Sequence, residues 1–353
     1  MKEVIKPFLK LIRQIVVNGV IFFGLIGLTF WFIFKDQDLN SVFDIISKAF
    51  LPFVILGLFF MAMYLTVEAL NLKRLLNSLG EKVTFKQAFK YVCICFFFSS
   101  VTPSATGGQP LEVYYMSKDG ISTAHATLCV LLMTAGIEFA VVILGIFGGL
   151  FAQEQIHGPM FILYTYGVII NTITFLFLTI CIFWTGGVKN ILGTIFTFLY
   201  NRGIKKAKVW EEKTMSGLDK YNDSSKYIKT HMKEFGITML RGIVQMSFLY
   251  LVPFAVMMAL GIKGHNIFEV YVLQATLFVS TSGIPLPGAI GASESAFLSL
   301  YTVIFPAEIL SSAMLLNRGI SFYLIVLFTM AVVLVNVVMV KRRDHKLKQE
   351  TKE

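Results

Sequence analysis

The chain has 353 residues, of which 56% are hydrophobic and only 15% are charged, and its formal net charge is +10. A soluble domain carries about 25% charged residues, so this composition excludes a soluble globular protein. The apolar runs are about 20 residues long, the length of a membrane-spanning helix rather than of a barrel strand. We therefore predict an all-α integral membrane protein.

The remaining composition argues against several functional classes. The positive net charge fits a basic cytoplasmic face and an attraction to anionic lipids, in preference to nucleic-acid binding. The four cysteines lie in apolar segments and the five histidines are scattered, so we predict no disulfide framework, no metal site and no cofactor. The sequence has no P-loop, Rossmann fingerprint or H-E-x-x-H motif. Any transport is therefore expected to be driven by a gradient or to run downhill.

The N-terminal region begins with a basic stretch and two apolar runs. Residues 1–14 carry four Lys and Arg residues, which predicts a cytoplasmic N-terminus. Residues 15–34 form the first predicted span, and residues 36–48 a short interfacial helix on the outer side. Residues 50–72 form the second span, which returns to a basic cytoplasmic end.

A stretch rich in Pro and Gly then interrupts an apolar segment. It runs from Thr102 to Tyr115 with the sequence TPSATGGQPLEVYY. Basic residues before the segment and Lys118 after it both favour the cytoplasm. We therefore predict that residues 86–117 form a re-entrant hairpin whose break lies deep in the membrane, where irregular backbone must line a cavity or be buried in protein.

The middle of the chain has two further predicted spans, residues 123–151 and 160–184. Residues 185–235 are the one long polar segment and contain ten Lys and Arg residues. Apolar residues from Ile191 to Leu199 recur there at helical spacing. We interpret this segment as amphipathic helices on an anionic cytoplasmic leaflet, in preference to a calmodulin-like target or a nucleic-acid patch.

The C-terminal region repeats the earlier pattern. Residues 236–261 are a predicted span, and residues 267–305 form a second hairpin around the stretch IPLPGAIGASESAF, from Ile284 to Phe297. Residues 308–340 span inward and end in the basic sequence KRRDHKLK, so the C-terminus is also expected in the cytoplasm.

This order predicts a single polytopic domain with about six full spans and two re-entrant broken-helix hairpins. The halves, about 15–151 and 160–340, have opposite predicted orientations, which is the arrangement of an inverted repeat. The two breaks also correspond in sequence, since Glu112 follows Pro103 by nine residues and Glu294 follows Pro285 by nine. Paired breaks of this kind indicate a transport site.

The residues at the breaks have chemistry suited to a lipid headgroup. Unpaired N–H groups at the start of a half-helix favour a phosphate, glycines allow close backbone approach, and carboxylates favour a cationic group. The alternative is that Gly and Pro only permit tight helix crossing. The predicted substrate-binding residues are Pro103, Ser104, Thr106, Gly107, Gly108, Gln109, Glu112, Tyr115, Pro285, Pro287, Gly288, Gly291 and Glu294.

Two further charges lie in the middle of predicted spans, Glu138 and Arg318. A charge at mid-membrane costs at least ~2.5 kcal/mol, so such residues usually face the interior and pair. Repeat symmetry places these two at similar depth, and we predict that they pair. The pair has either a structural role or a role with substrate or protons. Glu68 and Arg241 lie nearer predicted span ends, where snorkelling explains them.

The motifs resemble a known family. PSATGGQP, followed by a Tyr pair and KDGIS, is similar to the first signature of the lysylphosphatidylglycerol synthase transmembrane, or flippase-like, family. The segment P-x-P-G-x-x-G-x-x-E, from Pro285 to Glu294, resembles a late signature of that family. The resemblance covers nearly the whole chain. It implies a membrane protein that moves aminoacylated or other phospholipids between leaflets.

The full-length synthase of that family adds a soluble domain that transfers lysine from lysyl-tRNA. Only about a dozen polar residues follow Val340, so we expect lipid translocation without aminoacyl transfer, and no enzyme activity. The expected partners are membrane phospholipids, and a homo-oligomer is left open. Two other hypotheses remain: a solute transporter coupled to protons or sodium, and a non-transporting partner of a lipid-modifying enzyme.

Overall fold

A computed structural model describes residues 39–102, 105–203 and 207–336. Every regular element in these ranges is helical, which confirms the all-α prediction. Five helices are long and apolar enough to cross a membrane, namely Leu51–Ser78, Thr123–Phe151, Pro159–Phe183, Met232–Ala259 and Ala307–Asn336. The predicted span over residues 15–34 and both basic termini lie outside the described residues.

The first two described helices match the predicted interfacial helix and second span. Helix α1 is Leu39–Ser47 and helix α2 is Leu51–Ser78. Helix α2 continues past its predicted end at residue 72, because Arg74 forms an ion pair with Glu234 of a neighbouring helix. A basic residue that follows an apolar run thus belongs to the helix when it has a partner.

The first break separates two helices that pack side by side. Helix α3, Phe85–Val101, begins at a capping box between Thr84 and Gln87, and helix α4 is Gly108–Lys118. A side chain at Gly108 would overlap the Ser99 hydroxyl and lie 2.5 Å from the Cys95 carbonyl oxygen. Only glycine therefore allows this close contact between the two helices.

The two ends of this hairpin are joined at its base. Asp119, directly after α4, forms an ion pair with Lys90 near the start of α3. The same Asp119 carboxylate accepts a hydrogen bond of 2.7 Å from the Tyr91 hydroxyl. The end of α4 therefore lies beside the start of α3, which is the geometry expected of a hairpin over residues 86–117.

Long helices pack around the hairpins through small residues. Helices α5, Thr123–Phe151, and α6, Pro159–Phe183, follow the first hairpin. A side chain at Gly167 of α6 would overlap the carbonyl of Val279 in a later helix. In a lipid bilayer the hydrophobic effect does not drive helices together, so small residues that allow close contact stabilise their packing.

The polar segment forms two helices, as predicted. They are α7, Thr185–Asn201, and α8, Ala207–Thr230. Ile191, Ile195 and Phe198 of α7 are all exposed. Their helical spacing gives α7 an exposed apolar stripe of the kind that lies on a lipid surface.

The remaining helices form the second half of the described chain. They are α9 (Met232–Tyr250), α10 (Val252–Ala259), α11 (Ile267–Ser282), α12 (Ala292–Leu300) and α13 (Ala307–Arg318). Helices α9 and α10 meet at Leu251, where Pro253 in the first turn of α10 starts a new helix. A π-helical turn, Gly319–Tyr323, follows α13, and the helix continues to Asn336.

The second break lies between α11 and α12 and contains a 3₁₀ turn, Pro287–Ala289. Ala289 has a φ of 50°, and Ala105 in the first break has a φ of 53°. These are the two non-glycine residues with positive φ in the part of the chain that the structure describes. Such a backbone costs of order 1–3 kcal/mol and persists only where its surroundings impose it. Both predicted breaks therefore interrupt a helix with irregular backbone. The opposite orientation of the two halves stays a prediction.

Candidate functional site

A cavity of about 330 Å³ lies where the two breaks come together. Ala105 and Gln109 line it from the first break, and Gly288 and Ala289 line it from the second. Ala105 and Leu286 in its wall are exposed, so the cavity reaches the protein surface at both breaks. The two Pro- and Gly-rich stretches, far apart in sequence, thus share one site.

Four charged side chains line this cavity: Glu68, Glu112, Glu138 and Arg318. They come from helices α2, α4, α5 and α13, so each wall of the cavity contributes at most a single charge. Charges at this depth are costly and mark functional pathways in membrane proteins. The hydrogen-bond partners of each one decide what the site can do.

Arg318 belongs to a local network at the second break. Its Nε donates a hydrogen bond of 2.7 Å to Glu294 Oε1, and its Nη2 donates one of 3.0 Å to the Gly288 carbonyl. The Tyr323 hydroxyl donates to the same Glu294 oxygen at 3.3 Å. The guanidinium also lies 4.4 Å from the centre of the Phe322 ring.

The predicted pair between Glu138 and Arg318 is therefore wrong. Glu294 is 1% exposed and needs a counter-charge, and it lies on α12, which packs directly against α13. Repeat symmetry predicted a similar depth for Glu138 and Arg318, but Glu138 lies on α5, another wall of the cavity. Because the Glu294 carboxylate is closer, it takes the arginine, and Glu138 Oε2 is buried without a hydrogen-bond partner.

The Glu294 carboxylate also caps its own helix. Glu294 Oε2 accepts a hydrogen bond of 2.7 Å from the Gly291 N–H. At the first break, the Gly107 N–H donates to the Thr102 hydroxyl at 3.0 Å. These two N–H groups are satisfied within the protein. The wider expectation, that N–H groups at the start of each half-helix suit a phosphate, stays a prediction.

Glu112 is the buried carboxylate of the first break. It is 3% exposed, and its Oε1 has no hydrogen-bond partner. The Cys95 thiol of α3 lies within hydrogen-bonding reach of the same carboxylate. Glu112 thus holds the place after the first break that Glu294 holds after the second, but it forms no ion pair with an arginine within the described residues.

Glu68 was missed as a site residue. It is 8% exposed and lines the cavity, and Gln245 of α9 donates a hydrogen bond of 3.0 Å to its Oε2. The snorkelling interpretation is wrong because α2 extends to Ser78, which places Glu68 well inside the helix.

Asn317 is a second residue of the cavity wall that the sequence analysis missed. It lies directly before Arg318, and its Oδ1 has no hydrogen-bond partner among the described residues. An amide beside a charge in an apolar run was the available signal.

The predicted binding residues divide into three groups. Gln109, Glu112 and Gly288 line the cavity. Thr106, Gly107, Gly108, Tyr115, Pro285, Pro287, Gly291 and Glu294 are not in its wall, although several of them shape the breaks. Pro103 and Ser104 lie outside the described residues.

The described helices, broken twice around a charged cavity, define a multi-pass membrane protein with a buried polar site. The chain belongs to the family described as lysylphosphatidylglycerol synthase TM region, whose model matches residues 15–329. It is also similar to a UPF0104 membrane protein of Archaeoglobus fulgidus, at 21% identity over 310 residues. That alignment covers 84% of this chain and 90% of the relative. The family resemblance of the two motifs is confirmed.

Proposed function

We propose that this protein moves phospholipids between the leaflets of a cell membrane, and that its preferred lipids carry a cationic headgroup, such as an aminoacylated phosphatidylglycerol. The observation that carries the proposal is the charge of the cavity. Glu68, Glu112 and Glu138 line it, while Arg318 is paired with Glu294. Family membership supports a lipid as the cargo. The proposed activity is transport, without a chemical change to the lipid.

The walls of the cavity suit a molecule that is part polar and part apolar. Phe96, Phe278 and Phe322 line it together with the carboxylates. A headgroup inside the cavity would avoid about 30 Å of hydrocarbon, while the acyl chains stay in lipid. Exposed wall residues at both breaks, Ala105 and Leu286, favour entry from the membrane.

A solute transporter is the second candidate. The cavity volume of about 330 Å³ lies within the range of small-molecule sites, and broken helices are typical of secondary transporters. A soluble cation would use the same carboxylates. The two candidates differ in whether the cargo must be anchored in the membrane.

The topology makes a first test. We propose that both termini, Lys118 and the segment 185–235 face the cytoplasm, while Gln155 faces outward. Single cysteines at positions 118 and 155, in a background without the native cysteines, are labelled in intact cells with an impermeant reagent. Position 155 should react and position 118 should react only after lysis. Labelling of position 118 in intact cells would contradict the proposed opposite orientation of the hairpins.

The transport activity is tested with purified protein in vesicles that contain fluorescent lipids. Glu112→Gln removes a buried carboxyl group at nearly constant shape, so it should slow a fluorescent lysyl-phosphatidylglycerol about tenfold and fluorescent phosphatidylglycerol much less. Glu308→Gln is the matched control, since Glu308 is exposed and outside the cavity. Accumulation of a soluble cation without movement of any lipid would replace the lipid proposal with the solute one.

A further inference from the structure

The two broken-helix hairpins differ in how their buried glutamates are neutralised. In the second, Glu294 has a resident cation, Arg318, on the following long helix. In the first, no arginine forms an ion pair with Glu112 within the described residues, and the following helix α5 carries a further acid, Glu138, which lines the same cavity. The second half therefore pairs its buried glutamate with an arginine, whereas the following helix of the first half carries a second acid.

Unsatisfied oxygens belong to residues on both sides of the cavity. Glu112 Oε1, Glu138 Oε2 and Asn317 Oδ1 are all buried, and none has a hydrogen-bond partner among the described residues. Glu112 is 3% exposed and Asn317 is 4% exposed, and both line the cavity. A buried acceptor without a donor is destabilising, and more so when it is charged. Each of these three oxygens could therefore accept a hydrogen bond from a bound molecule, because no described residue donates one.

Within the described ranges, the groups that surround Glu112 supply no positive charge. Tyr64 and Glu68 of α2 line the same cavity, and Cys95 of α3 lies beside the carboxylate. On α5, Cys129 interacts electrostatically with Glu112 and Glu138 lies further along the helix. Across the cavity, α13 contributes Arg318, whose charge is matched by Glu294.

Several carboxylates in one poorly solvated cavity cannot all stay ionised without a counter-charge, because like charges and burial both penalise the ionised form. Two kinds of counter-charge fit these unpaired oxygens. One is a proton on each carboxylate. The other is a cationic N–H donor brought by the cargo, which satisfies the same oxygens.

We propose that Glu112 and Glu138 form an exchange site, in which a proton and the ammonium group of the cargo replace each other, so that the protein acts as a proton/cation exchanger. The inference rests on the proposed function for the identity of the cargo. When the ammonium group enters, the O–H bond of a carboxylic acid breaks, its proton passes to water, and the carboxylate pairs with the ammonium. When the cargo leaves on the other side, a proton from water restores the acid. No other reactant is needed.

The exchange has a measurable thermodynamic signature. If one proton is exchanged for each cargo molecule, a gradient of one pH unit corresponds to a tenfold concentration ratio. The purified protein is reconstituted in phosphatidylglycerol vesicles that contain lysyl-phosphatidylglycerol with a fluorescent acyl chain. The lumen is one unit more acidic than the medium, and potassium with valinomycin holds the membrane potential at zero. The probe should become enriched about tenfold in the inner leaflet, beyond the enrichment in protein-free vesicles.

Variants of the two glutamates distinguish a loss of exchange from a loss of folding. Glu112→Gln and Glu138→Gln, each checked for a monodisperse profile in detergent, should lower the ratio to that of protein-free vesicles. Glu308→Gln should keep the tenfold ratio. A proton-sensitive dye in the lumen should report proton efflux on probe addition for wild type and Glu308→Gln only. Full enrichment in both Glu112→Gln and Glu138→Gln would overturn the assignment.

The failures of the two proposals are distinguishable. Rapid equilibration of the probe by wild type, without enrichment under the pH gradient, overturns the exchange and leaves lipid translocation intact. Proton efflux driven by a soluble amine such as lysine, with no movement of any lipid, overturns the lipid cargo and supports the exchange site. Absence of both movements overturns both proposals.

Discussion

Arg318→Ala is expected to destabilise the protein severely. The change leaves the Glu294 carboxylate buried without its cation and leaves the Gly288 carbonyl without its donor. Removal of one partner of a buried ion pair costs about 3–5 kcal/mol in soluble proteins, and the cost is smaller in some membrane proteins. Thermal unfolding in detergent, followed by the fraction of monodisperse protein, measures the loss.

Two comparisons make this expectation specific to the pair. Arg241→Ala removes an arginine for which no ion pair is formed within the described residues, and it should leave the unfolding temperature nearly unchanged. Glu294→Gln combined with Arg318→Gln should be more stable than Arg318→Gln alone, because no unpaired charge remains. Equal stability of Arg318→Ala and Arg241→Ala would show that the network contributes nothing to folding.

Gly108→Ala should disrupt the first hairpin. The added methyl group would overlap the Ser99 hydroxyl and lie 2.5 Å from the Cys95 carbonyl oxygen, so α3 and α4 must separate. Overpacking of this kind costs about 1–3 kcal/mol, and occasionally more. We expect a lower unfolding temperature and a loss of lipid transport, since Glu112 lies on the displaced helix.

Gly236→Ala is the matched control for this change. Gly236 is also helical, but a side chain there would meet nothing within 4 Å. Alanine favours a helix over glycine by about 1 kcal/mol, so this variant should be at least as stable as wild type. If Gly108→Ala behaved in the same way, the contact between α3 and α4 would not constrain the hairpin.

The breaks were predictable from sequence because Pro and Gly have local conformational effects. A Pro- and Gly-rich stretch within an apolar run marks the end of one helix and the start of another, whatever its neighbours. The capping box at Thr84 and the glycine at position 108 are signals of the same local kind. The positions of the breaks were therefore predictable, whereas the end of α2 was not, since that helix continues to Ser78 beyond its predicted end at residue 72.

The charge partners were not predictable in the same way. Pairing depends on which helices touch and on the rotation of each about its axis, and neither is encoded in spacing along the chain. Glu138 and Arg318 line the same cavity from different helices, while Glu294 is carried by the helix that packs against α13. Glu68 was misjudged for a related reason, because the end of α2 is fixed by the tertiary partner of Arg74.

The π-helical turn at Gly319–Tyr323 has a consequence for the phase of the last long helix. A π turn holds an extra residue, and each helical residue corresponds to about 100° of rotation. Side chains after Tyr323 are therefore out of phase with those before Gly319 by about one residue. The side chains before the π turn, which include Arg318, and those after it therefore follow two helical registers that differ in rotation about the helix axis. A sequence aligned on a single helical wheel through this segment would assign one of them to the wrong face.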